Sequence, residues 1–160
     1  MATVEVTFTP LPVHVRTARL VATAVARRSG VAESLLDEVR LAVGEACSRA
    51  VEAHLRHCPG QPIRVALTDD DEQFAVVVTD AVPGAKHGAP AGTAAADGDA
   101  AVPSVASAES DAGFLVGGEV PQQLPDGVGL AVIAGLADDV RIAPAGSGTS
   151  VTMSWKRRTT

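Results

Sequence analysis

The order in which two hydrophobic periodicities follow each other constrains this fold more than any other feature of the sequence. Apolar and polar residues alternate over 4–8 and again over 63–67, as they do in strands that bury one face. Between them, apolar residues recur every three or four positions over 13–28 and 32–54, which predicts two amphipathic helices. The chain therefore begins with the order strand, helix, helix, strand.

The second half of the chain continues this pattern after a segment of different composition. We predict strands at 74–78, 140–143 and 149–155 and a helix over 128–137. Segment 84–125 is rich in Ala, Gly, Pro, Ser and Asp and buries too little apolar surface to offset its ordering entropy. We predict a single domain over 1–160 with a disordered insert at about 84–125. The element order predicts an α+β fold, a two-layer sandwich in which a mixed, mostly antiparallel sheet carries helices on one face.

The net charge argues against one class of partner. With 13 basic and 19 acidic residues the formal charge is −6, whereas nonspecific nucleic-acid binding needs basic patches. The N-terminus has no basic segment followed by an apolar core, and no apolar run is long enough to cross a bilayer. We therefore expect a soluble, cytoplasmic protein that binds neither nucleic acid directly nor a membrane.

Polar residues near the end of the second helix allow two interpretations. His54, His57 and Cys58 could form a metal cluster, but their spacing matches no common zinc pattern and no second ligand group follows. The interpretation we favour is that they form the fraying, polar end of the helix before Pro59 and Gly60.

Four motifs follow one another along the chain. They are the helical segment 42–50, the strand and turn 76–84, the glycine pair 127–130, and the strand and turn 136–149. In this order and spacing they resemble the GHKL ATPase superfamily, and within it the bacterial anti-sigma-factor serine kinases that control partner switching. The resemblance covers nearly the whole chain outside the insert, and it implies an ATP-binding fold with the insert as lid.

The resemblance also implies roles for particular residues. Glu45 corresponds to the catalytic general base, and Asp80 to the carboxylate that accepts a hydrogen bond from adenine. The other nucleotide-binding positions that it implies are Arg49, Gly84, Gly127, Gly129 and Thr149. Glycines at a helix N-terminus suit a phosphate, because the backbone N–H groups are unpaired there and can approach the anion closely.

Two positions depart from the family pattern. Arg49 stands where the family has an asparagine that holds magnesium, and a guanidinium carries only donors and positive charge. Val82 occupies the position of the first glycine in the family's adenine motif, and a β-branched side chain at that position crowds the base. Two other roles for Arg49 remain open: a surface charge ladder with Glu45 and Glu52 at helical spacing, or direct binding of nucleotide phosphates.

These observations lead to two functional expectations. The first is an anti-sigma-factor-like regulator that binds a sigma factor, is countered by an anti-anti-sigma protein of the STAS type, and has a degenerate nucleotide pocket. The second is an active ATP-dependent serine kinase that phosphorylates the antagonist. The resemblance implies a homodimer and places partner contacts at Arg16 and Arg19. ATP is a candidate ligand, whereas Arg49 argues against magnesium.

Overall fold

The computed structural model describes residues 1–83 and 128–157, which form five strands and three helices. The strands are β1 (Ala2–Phe8), β2 (Ile63–Asp69), β3 (Gln73–Thr79), β4 (Asp139–Ala145) and β5 (Gly148–Lys156). The helices are α1 (Pro12–Arg28), α2 (Leu36–His57) and α3 (Val128–Leu136), and a 3-10 turn (Glu33–Leu35) precedes α2. The predicted insert, Gly84 and Gly127 lie outside the described residues.

The described strands form one sheet in the order β1-β2-β3-β5-β4. All four pairs are antiparallel, and β2 and β3 form a hairpin. The hairpin turn is closed by Asp70, whose N–H donates to the carbonyl of Gln73 at 3.1 Å and whose carboxylate accepts from the N–H of Glu72 at 2.9 Å. The predicted α+β sandwich is confirmed.

Strand alternation places the core on one face of the sheet. Ile63, Val65 and Leu67 are buried among the inward residues of α1 and α2, while Arg64 between them is exposed on the other face. The inward side of β5 carries Trp155, which is fully buried and donates from Nε1 to the carbonyl of Leu136 at 2.9 Å. Among the described residues, helices cover only one face of the sheet, and we call the other the open face.

Several predicted boundaries shift for identifiable reasons. The second helix begins at Leu36 rather than 32, because residues 33–35 form the 3-10 turn, and it continues to His57. β4 extends through Pro144, which is tolerated because β4 is an edge strand that needs no donor on its outer side. β5 continues one residue past the predicted strand, to Lys156.

None of the helices in the described part of the chain is both long enough and apolar enough to cross a membrane.

Candidate functional site

Helices α2 and α3 bring three of the predicted site residues to one junction. Glu45 and Arg49 are about one turn apart on α2 and share a face of that helix. Gly129, near the beginning of α3, is buried against both. A Cβ at Gly129 would collide with Oε1 of Glu45 and would lie 3.1 Å from Cδ of Arg49. The absence of a side chain at residue 129 therefore lets the two motifs touch.

Arg19 of α1 reaches the same junction through Gly44. A Cβ at Gly44 would collide with Nε of Arg19 and would lie 2.9 Å from its Cζ. The guanidinium therefore lies across the α2 backbone, where its charge acts on both Glu45 and Cys47. Arg19 is exposed, as is Arg16 on the same helix, so both remain accessible to a protein partner.

Burial dominates the electrostatics of Glu45. Removal from water raises the pKa of its carboxyl above the ordinary value, and the nearby Glu52 acts in the same direction. The positive charges of Arg49 and Arg19 oppose this shift without reversing it. The side chain is half-buried, so Glu45 is a carboxylate that is partly desolvated and flanked by two guanidinium groups.

Replacing Glu45 with glutamine should change the pH dependence of stability. A carboxyl whose pKa is raised in the folded state makes the protein lose stability as pH rises through the interval between its unfolded and folded values. Glu45→Gln removes this loss, so the variant should gain stability relative to wild type as pH rises from about 4 to about 8. Urea denaturation across this range measures the difference. The matched control is Glu72→Gln in the exposed β2–β3 turn; an equal trend in both variants would contradict the assignment to Glu45.

Arg49 is half-buried, whereas a charge ladder on the helix surface needs only exposed side chains. Its Nε is a buried nitrogen that forms no hydrogen bond within the described residues, although the residue does take part in other interactions. Glu52, the predicted third member of the ladder, forms an ion pair with Arg56 at 3.8 Å. With two guanidinium groups and one carboxylate, these side chains suit an anion better than a hard cation.

Asp80 and Thr149 form a second cluster at the ends of β3 and β5. The N–H of Asp80 donates to the carbonyl of Thr149 at 2.9 Å, and Oδ1 of Asp80 accepts from the N–H groups of Thr149 at 3.2 Å and Val82 at 3.0 Å. Gly148 makes this approach possible, because a Cβ there would collide with the carbonyl oxygen of Asp80. The carboxylate expected to face adenine is thus buried and already accepts two backbone donors.

His54 supports this cluster from α2, a role that the sequence interpretation missed. Its side chain is fully buried, Nε2 accepts from the N–H of Ala81 at 3.0 Å, and Nδ1 lies 2.9 Å from the carbonyl of Gln61. Because Nε2 accepts, Nδ1 carries the proton and donates. Both ring nitrogens are engaged, so His54 belongs neither to a fraying helix end nor, in this conformation, to a metal cluster. The sequence carried a signal for this burial, because His54 continues the spacing of three and four residues that the buried positions of α2 follow.

Comparison with known proteins places the chain in a family. The sequence matches no curated protein. Residues 8–155 match the histidine kinase-like ATPase domain family. The matched range includes all three helices described above, the junction around Glu45 and the cluster around Asp80. The chain belongs to the histidine kinase-like ATPase domain family.

Proposed function

We propose that this protein is an anti-sigma-factor-like regulator that works by protein binding rather than by phosphoryl transfer. It would hold a sigma factor and release it when an anti-anti-sigma protein of the STAS type binds instead. The observation that carries the proposal is the position of Arg49, which lies against Glu45 and Gly129 at the point where the family pattern has a magnesium ligand. A fixed positive charge at this position favours a domain that keeps the family fold but no longer catalyses phosphoryl transfer.

The chemistry of the junction supports the proposal that magnesium binding is lost. Magnesium requires oxygen ligands in near-octahedral geometry, and an asparagine supplies one through its amide oxygen. Arg49 supplies donors and a positive charge, and Arg19 adds a second positive charge beside Glu45. Two guanidinium groups would instead accommodate nucleotide phosphates without metal, so weak ATP binding is compatible with this proposal.

The surface of α1 supports the protein-binding part. Arg16 and Arg19 are exposed there, and Val13 and Leu20 on the same helix are large apolar residues with 66% and 60% exposure. Arginine and exposed apolar side chains in one patch are typical of protein interfaces. We therefore place the partner contact on α1. From the resemblance to anti-sigma-factor kinases, we further propose that the protein acts as a homodimer in the cytoplasm.

The experiment that tests the proposal measures two affinities of the purified chain. Isothermal titration with each sigma factor encoded by the same genome should give saturable binding to at least one, weakened about tenfold or more by Arg19→Ala. Titration with ATP should show no gain in affinity when magnesium replaces EDTA. Tight, magnesium-dependent ATP binding, or no binding to any of these sigma factors, would overturn the proposal.

The environment of Glu45 favours one alternative, a protein serine kinase. Desolvation raises the pKa of its carboxyl toward the operating pH, which suits a general base. In that case Glu45 would accept the proton of an antagonist serine hydroxyl while the γ-phosphoryl group passes to the serine oxygen and ADP leaves. Transfer of radiolabelled phosphate to a purified antagonist by wild type, but not by Glu45→Ala, would establish this alternative.

A further inference from the structure

A cavity of about 540 Å³ lies at one end of the open face of the sheet. Its volume falls within the roughly 300–1,000 Å³ that is typical of small-molecule sites. The residues that line it are Thr7, Gln61, Pro62, Arg64, Thr79, Asp80, Ala81, Ala145, Gly146 and Ser147. Neither Glu45, Arg49 nor Gly129 is among them, so the cavity is separate from the helix junction.

Sheet register explains why a cation and two hydroxyls meet on the floor of this cavity. Thr7 on β1 is paired with Arg64 on β2, which is paired in turn with Thr79 on β3. Directly paired residues point to the same face, and neighbouring strands are about 4.8 Å apart, so this row spans about 10 Å with the arginine at its centre. Arg64 is flanked along β2 by Ile63 and Val65, which face the helices, and it therefore points away from them.

The β4–β5 turn also lines the cavity. Gly146 adopts a positive φ of 59° there, and Ser147 follows it. Pro62, Ala81 and Ala145 provide apolar surface between the polar groups. The cavity thus combines one guanidinium, one buried carboxylate, several neutral hydrogen-bonding groups and a small apolar surface.

Arg64 is the only cationic side chain in the cavity lining that the structure describes. Within residues 1–83 and 128–157 it forms no ion pair. The one acidic residue in the lining is Asp80, which is buried and whose Oδ1 accepts from the N–H groups of Val82 and Thr149. A guanidinium that has no ion pair within the described residues and lies beside hydroxyl donors is suited to bind an oxyanion through charge-assisted hydrogen bonds.

We propose that this cavity binds a small organic anion, with its phosphate or carboxylate group on Arg64 and the hydroxyls of Thr7, Thr79 and Ser147 as further hydrogen-bonding groups. None of its lining residues belongs to the helix junction or to α1, so the site does not depend on the proposed partner binding; Asp80 is the one lining residue that it shares with the expected nucleotide site. It borders the cluster of Asp80 and Thr149, since Asp80 itself lines the cavity and Ser147 lies two residues before Thr149.

The test uses the full chain labelled with nitrogen-15, whose amide signals are followed while a probe is added at constant ionic strength. The probes are inorganic phosphate, glycerol 1-phosphate and citrate, which separate phosphate from carboxylate recognition and free phosphate from an organic ligand. We expect saturable shifts centred on the amides of Thr79, Ala81 and Ser147 with at least one probe below about 20 mM.

Two variants decide whether the cavity is responsible. Arg64→Gln removes the cation and should weaken binding about tenfold or more. Arg28→Gln removes an exposed arginine at the far end of α1 and should leave the affinity unchanged; circular dichroism and Trp155 fluorescence confirm that both variants are folded. The proposal is overturned by equal binding in Arg64→Gln and wild type, by shifts centred on Glu45 and Gly129, or by no saturation with any probe.

Discussion

Replacing His54 with alanine should lower the free energy of unfolding by about 3–4 kcal/mol, the larger of the two stability effects predicted for this chain. The imidazole is fully buried, and the variant loses its packing and both of its hydrogen bonds. The N–H of Ala81 and the carbonyl of Gln61 lose their His54 partner. An unsatisfied buried polar group costs about 1–3 kcal/mol, and the cost here falls at the low end because Ala81 is half-buried and Gln61 is exposed.

His57→Ala is the matched control, because His57 lies three residues later on α2 and is exposed. It should change stability by less than about 0.5 kcal/mol, as most surface substitutions do. Urea denaturation followed by circular dichroism compares the two variants with wild type. Similar stability of His54→Ala and His57→Ala would show that the imidazole does not link α2 to the end of β3.

The elements of the fold were predictable from the sequence because their periodicities are strong. Val4, Val6 and Phe8 alternate with polar residues, and the stripe along α2 steps by three and four throughout. The 3-10 turn at Glu33–Leu35 was not predicted, since a short run of helical residues before a helix has the same composition as the helix itself. The predicted end of β4 was too early because a proline usually ends a strand, and only the sheet order shows that β4 lies at an edge where Pro144 is tolerated.

The sequence motifs named the residues of the helix junction but did not show how these residues are arranged. The motifs named Glu45, Arg49 and Gly129, yet nothing in their spacing showed that Gly129 packs against the other two. Gly44 carried a signal that could have been used, because a glycine inside a helix costs about 1 kcal/mol relative to alanine and usually marks a close approach. The group that approaches it is Arg19, which lies on a different helix, and only tertiary structure could identify that partner.

Arg49→Asn should increase the affinity for ATP about a hundredfold in the presence of magnesium. The substitution removes a positive charge that repels the divalent ion and supplies the amide oxygen that the family pattern has at this position. In EDTA the same variant should bind ATP no better than wild type, and more weakly if the Arg49 guanidinium contacts the phosphates directly. Isothermal titration under the two conditions separates the effect on the metal from the effect on the nucleotide.

Arg40→Asn is the control for this experiment, because Arg40 is exposed on α2 and pairs with Asp37 outside the junction. It should leave the affinity for ATP unchanged in both conditions. If Arg49→Asn gains no magnesium-dependent affinity either, then the guanidinium is not the only obstacle, and Val82 or the insert also blocks the pocket. Val82 is buried beside Asp80, and its N–H donates to the carboxylate expected to contact adenine.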